Sequence, residues 1–126
     1  MAFEVPNAIE IDVRLAIVTQ LNRHGYNIPV YLDLSGVEDL PTEYFTLVKT
    51  GSDENNYIYT STFVLRSISS TMAKSARLNE IGKQAVARMA DDNKRIIMAR
   101  VGTDYPSPDY ETKEYSYDAV INVKHY

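Results

Sequence analysis

Cysteine and tryptophan are absent from the 126 residues, histidine occurs twice, and the five glycines are scattered. Without cysteine the chain can form no disulfide framework, no thiolate metal site and no Cys nucleophile. The redox compartment stays open, because a cytosolic protein and a Cys-free secreted one look alike in this respect. His24 and His125 lie at opposite ends of the sequence, so no histidine pair stands at metal-ligating spacing and zinc has no soft ligands to use. Gly25, Gly36, Gly51 and Gly102 fall at separate turns and form no phosphate-cradling loop. Gly82 falls inside a helical pattern, where it either allows a close approach or is a tolerated defect. Long apolar runs are missing too. Leu15-Ala16-Ile17-Val18 is far short of the roughly 20 residues of a membrane helix. The opening Met1-Ala2-Phe3-Glu4-Val5-Pro6 has neither a basic n-region nor an apolar h-region. A soluble chain with no membrane contact and no cofactor is expected. An excess of positive charge is also lacking: 13 Lys+Arg face 17 Asp+Glu, a net −4, which argues against gripping DNA or RNA as the main task.

What is present suits one domain with a single core. Apolar residues make up 44% of the chain, and a chain of this length can bury roughly two thirds of its unfolded surface. Ten tyrosines stand against three phenylalanines. Tyr joins an apolar body to a polar tip, which suits a half-wet surface or a subunit contact, although strands also favour it for packing alone.

A first helix is expected over Ala8–Asn22, with Asn7 as cap, Glu10 at the capping-box spacing, and Ile9, Val13, Ala16, Ile17 and Leu21 on one face. Arg23 and His24 suit its negative end, and Gly25 can take the left-handed conformation just past it. Tyr26–Leu34 reads as a short strand that Pro29 confines to an edge, followed by a loop to Pro41. Glu43–Thr50 and Tyr57–Ser69 read as the two strands of a hairpin around a polar turn, Gly51–Asn56. A second helix is expected over Thr71–Asp92, capped by Ser69, Ser70 or Thr71, with Leu78, Ile81, Ala85 and Met89 as its buried stripe and Val86 beside it. Arg95–Val101 is a strand, Gly102–Asp109 a loop with two prolines, and Glu114–Tyr126 a last strand. That strand alternates, with Tyr115, Tyr117, Ala119, Ile121 and Val123 on one face and Glu114, Ser116, Asp118, Asn122 and Lys124 on the other, Val120 being the one exception. The order helix-strand-strand-strand-helix-strand-strand implies an α+β fold, a mostly antiparallel sheet packed by two helices. The second helix could act as a crossover, giving one parallel pair.

No catalytic constellation emerges. A lone His at a helix end or next to the C-terminus is ordinarily solvated or matched to a dipole. The acids at Glu38 and Asp39, Asp53 and Glu54, Asp91 and Asp92, and Asp104 and Asp109 lack the regular ligand spacing of a calcium loop. From Thr71 to Arg95 six cations face three acids, which is either a solvated helix face or a basic patch that docks on an acidic neighbour. No enzymatic activity and no metal are expected.

Several segments together resemble the tail terminator, or tail-completion, proteins of long-tailed bacteriophages, including small tail-component families of phages infecting Gram-positive bacteria. They are Ile11-Asp12-Val13-Arg14-Leu15-Ala16-Ile17 in the first helix, the Pro41–Val48 segment PTEYFTLV, and Ile58–Ser67 before the second helix. The closing Asp104-Tyr105-Pro106-Ser107-Pro108-Asp109-Tyr110-Glu111-Thr112-Lys113-Glu114-Tyr115, followed by Asp118–Val123, completes the pattern. The likeness spans nearly the whole chain and carries no catalytic signature.

The resemblance implies a virion protein made in the host bacterial cytoplasm and placed at the head-proximal end of the tail. There a hexameric ring of this chain would cap the tail tube protein, stop its elongation and meet the head–tail connector protein, with DNA only passing through the channel. On this view the outward side of the second helix, Lys74, Arg77, Lys83 and Arg88, meets acidic loops of a neighbour, with Tyr105 and Asp109 as further contacts. Asp53 and Glu54 would face the channel, where negative lining lets DNA slide. Plain solvent exposure explains each of these residues equally well. An adaptor or stopper and a tube subunit are the nearest alternatives; a small ligand-binding domain or enzyme is a more distant one.

Overall fold

The computed structural model describes residues 7–109 and 114–126. Tyr110, Glu111, Thr112 and Lys113 of the closing motif lie outside the described residues, as does the opening segment 1–6. The order of elements is helix α1 (Ile9–Arg23), strands β1 (Val30–Tyr31), β2 (Tyr44–Asn55) and β3 (Ile58–Ser69), helix α2 (Met72–Arg88), and strands β4 (Ile96–Pro106) and β5 (Tyr115–His125). The five strands form one sheet in the order β1-β2-β3-β5-β4. The fold is α+β as expected.

Helix α1 buries Ile9, Val13, Ala16, Ile17 and Leu21, the predicted face, together with Gln20. Its cap differs from expectation. Ala8 occupies the cap position with no side-chain hydrogen bond, so Asn7 is one residue too early, and its carbonyl instead accepts from Arg95 Nη1 at 2.6 Å. Asp12 takes the same guanidinium at 2.7 Å and Glu10 reaches Lys49 at 3.8 Å. These acids still suit the positive start of the helix. At the other end Gly25 has φ +84, and the Gly25 and Tyr26 amides return to the carbonyls of Asn22 and Leu21.

The strand expected over Tyr26–Leu34 contracts to two residues at the sheet edge. Pro29 cannot donate to a ladder, but its carbonyl accepts from the Phe45 amide at 2.9 Å, and β1 pairs with β2 in parallel. The parallel pair is therefore at this edge rather than across α2. Helix α2 joins β3 to β4, and β5 pairs antiparallel with both, lying between them. In that central slot Ala119, Ile121 and Val123 of β5 are fully buried.

The hairpin is also tighter than expected. Pairing continues to Asn55↔Ile58, so Gly51–Asn55 is strand, and the turn is only Asn56-Tyr57, with φ +52 and +67. Two successive left-handed residues make the type I′ geometry that matches strand twist. Asn is at ease there, but a bulky residue such as Tyr costs on the order of 1 kcal/mol. The ladder shifts register between Lys49 and Gly51. The loop predicted over Gly102–Asp109 is strand as far as Pro106, with a shift between Val101 and Asp104. Edge position lets Pro106 end the strand without a missing bond in the sheet interior.

Both helices pack on one face of the sheet. Phe45, Leu47, Phe63, Leu65, Ile121 and Val123 of the strands meet Val13, Ile17, Leu21, Leu78, Val86 and Met89 from the helix side, Met89 lying in the 3-10 turn Met89–Asp92 that follows α2. Thr71 caps α2, its Oγ1 accepting from the Lys74 amide at 3.2 Å. Gly82 sets how closely α2 approaches: a Cβ there would stand 2.8 Å from Phe45 Cε1 and 3.0 Å from Leu65 Cδ2. Gly82→Ala is expected to cost roughly 1–3 kcal/mol by overpacking, read as a lower urea midpoint. Adding Phe45→Leu should recover part of that loss, and simple additivity of the two changes would contradict the close-approach account.

Candidate functional site

Helix α2 divides its cations between two uses. Lys74, Arg77 and Arg88 are exposed. Lys83 departs from the outward role given to it: it is half-buried and lies 2.8 Å from both Asp104 of β4 and Glu80. The acidic partner it meets thus belongs to its own chain. Asp104 also accepts from Asn79 Nδ2 at 2.8 Å. Its bond to Lys83, and then that to Asn79, hold its carboxyl below the usual range, while Asp104 and Glu80 raise the Lys83 ammonium. This cluster fastens α2 to the edge strand β4.

Arg77 and Arg88 flank a groove of about 420 Å³ between the helices. Leu21, Ile81 and Ala85 supply its apolar surface, and Gln20, His24, Tyr26, Glu80 and Gln84 complete the lining. Neither arginine enters an ion pair among the described residues.

Among the described residues, no helix lies on the sheet face opposite α1 and α2. Tyr105 lies on it, exposed, above a shallow recess with Thr46, Val48, Thr50, Val64, Arg66 and Asp118. Arg66 donates to Asp118 through Nε and Nη2 at 2.9 and 3.2 Å, and this bond raises the Arg66 pKa further. Asp118 is only 4% exposed and Ser116 3%, although both lie on the face of β5 turned away from the helices: Arg66 covers the one, and the other donates to the Ser107 carbonyl. Beyond them Thr60, Met98, Arg100, Asn122 and Lys124 continue the open face. Asp109 forms an isolated bridge with Glu114.

Asp53 and Glu54 are consecutive strand residues near the hairpin tip, exposed and without an ion pair among the described residues. Consecutive strand residues point to opposite faces, so the two carboxylates project to either side of the hairpin. Tyr57 at the turn is 85% exposed.

His125 was expected to be solvated and is buried, at 4% exposure. Its Nε2 lies 2.7 Å from Ser61 Oγ and its Nδ1 3.1 Å from the Tyr126 carbonyl, so Nδ1–H donates and Nε2 accepts from the hydroxyl. Tyr59 stacks on the ring at 5.5 Å between centroids and 13° between planes. Sequence reasoning missed the pair because Ser61 and His125 lie 64 residues apart; the alternation of β5 beyond Val123 was the available cue. With Ser61 wholly buried, no substrate reaches its Oγ, and the pair ties the end of β5 to β3.

Among the described residues no group of three or more His, Asp or Glu side chains could hold a metal ion, and no helix is long and apolar enough to cross a membrane. No protein-family model and no curated protein matches the chain. Among solved structures, it is similar to a chain from the virion of a native gene transfer agent particle. The TM-score is 0.54 at 14% identity, covering 95% of this chain and 98% of that one. The likeness is one of fold.

Burial pushes the His125 pKa below the ordinary imidazole value, the nearby Arg95 and Lys49 charges adding to the effect against the Tyr126 carbonyl and Asp12. The unfolded chain therefore binds a proton at a pH where the folded chain does not, and stability should fall as pH drops below about 6.5. Urea midpoints measured from pH 7.5 to 5 should decline for the wild type and decline less for His125→Gln. Equal slopes would contradict the assignment.

Proposed function

We propose that this chain is a structural subunit of a phage-like virion, acting as a tail terminator: a homo-oligomeric ring at the head-proximal end of the tail tube. The observation that carries the reading is the full-length fold likeness to a chain of a gene transfer agent virion, matched over 95% and 98% of the two chains. The likeness supports a virion subunit, and the sequence resemblance to tail-completion proteins adds the terminator role to that reading.

The architecture suits such work. A tube subunit offers a heterologous face to the next layer, and a terminator must fit that face without repeating it. One sheet with helices on a single side offers two unlike faces, a charged helix layer and a bare sheet with Tyr105, Val48 and Met98 exposed. On this reading the chain works through these faces, with no chemistry on a bound substrate, no cofactor and no metal. Tail tube protein, head–tail connector and further copies of itself are the partners, in a ring of six, and DNA only passes through.

One observation favours a tube subunit as the second reading. Strands β2 and β3 are each 12 residues long and joined by a two-residue turn, longer than the hairpin expected from sequence. Only Asn55↔Ile58 and the turn extend past the last β5 pair, Tyr59↔His125, which is a short arm for an inner barrel.

Electron microscopy of particles assembled without this chain separates the roles. Overlong tubes are expected. Normal-length tails without heads would assign it to the connector, and a lack of tubes would assign it to the tube itself.

A further inference from the structure

Tyr57 breaks the local folding logic of the chain. It holds the second position of a type I′ turn at φ +67, where glycine fits best, and at 85% exposure it buries almost nothing. Among the described residues it makes no hydrogen bond or ring contact. A strained residue with no compensation inside the subunit points to one outside it. Asp53 and Glu54, also exposed and unpaired, accompany it on the same hairpin tip.

The same chain carries a matching recess. The groove between α1 and α2 has an apolar surface of Leu21, Ile81 and Ala85 and a volume of about 420 Å³, ample for a phenol ring. Arg77 and Arg88 stand beside it without ion-pair partners among the described residues. Glu80, the acid in the lining, is engaged by Lys83 at 2.8 Å. The groove is thus apolar within and cationic around, and the tip is aromatic with acidic flanks.

We propose that the Tyr57 tip of one copy seats in the α1–α2 groove of the next, with Asp53 and Glu54 facing Arg77 and Arg88. A subunit cannot satisfy itself. Its tip lies past His125, at the end of the sheet where α1 starts, as the Glu10–Lys49 and Asp12–Arg95 contacts show, whereas the groove takes the last turns of α1. The contact is heterologous, so every copy uses both surfaces, and repeating it makes a ring when the rotation between copies closes. The inference rests on the ring reading above and names the contact that builds it.

The cysteine-free chain makes the test direct. A Tyr57→Cys chain is mixed with a Gln84→Cys chain, at high concentration and again in particles, and mildly oxidised. A mixed disulfide dimer is expected, with neither chain alone giving the same product, and the double variant should yield a ladder of multiples. Monomers only, closure within one chain, symmetric Tyr57→Cys pairs, or Gln84→Cys trapping a different virion protein would overturn the proposal. Tyr57→Gly separates folding from contact: its urea midpoint should hold or rise while self-association by sedimentation weakens at least ten-fold. Unchanged association would overturn the contact. Charge reversal at Asp53 and Glu54 should weaken association, and reversal at Arg77 and Arg88 should restore it; failure of that rescue would count against the pairing. If the chain forms a ring in particles but yields no mixed dimer, this contact fails and the virion reading stands. A mixed dimer from a chain absent from virions gives the reverse.

Discussion

The close seat of α2 on β2 and β3 is the constraint on which the rest of the structure depends. At Gly82 the helix backbone comes so near Phe45 and Leu65 that no side chain fits between them. That approach lets one helix span the sheet and meet β4 through Lys83, Asn79 and Asp104. The second helix then closes the core beside it, with Gln20 and Arg23 of α1 both bonded to Asp92 in the turn that follows α2. A small domain has too little apolar surface to fill two layers. This chain fills one, and among the described residues no helix covers the other side of its sheet.

The ionic pattern follows from the same layering. Charges that fasten one element to another are paired within the subunit: Arg95 to Asp12, Arg66 to Asp118, Lys83 to Asp104 and Arg23 to Asp92. Arg66 and Asp118 show how the bare face tolerates a buried carboxylate, since two guanidinium bonds satisfy it. Other charges enter no ion pair among the described residues; of these, Arg77 and Arg88 on α2 and Asp53 and Glu54 on the hairpin are of opposite sign and lie on different parts of the molecule. Unused charges arranged in this way suit contact between copies, because each surface is complementary to one that every other copy also carries.

Much of the fold was legible because it rests on periodicity. The faces of α1 and α2 follow from which residues recur at 3.6 and the edge position of Pro29 from its missing donor, and the structure keeps them. The strand errors have a common cause in long-range pairing. Gly51–Asn55 and Gly102–Pro106 look like loops by composition, yet each has a neighbouring strand to complete its ladder, and that pairing outweighs local turn preference. Asn7 misses the cap of α1 because the helix starts one residue later, after Ala8, while the Asn7 carbonyl accepts from Arg95 on the far side of the sequence. For the surfaces, the sequence supplied the basic content of α2. It could not show that Lys83 is spent internally while Arg77 and Arg88 flank a groove.

By itself the sequence determined the two helices, the α+β class and the lack of thiol and paired-histidine chemistry, since these depend on composition and local spacing. Tertiary structure alone decided that β5 lies between β3 and β4, that His125 is buried against Ser61, and that Tyr57 stands at the tip of a two-residue turn. Each of these depends on which distant segments share the limited area beside one sheet, and that competition is settled only when the whole chain packs at once.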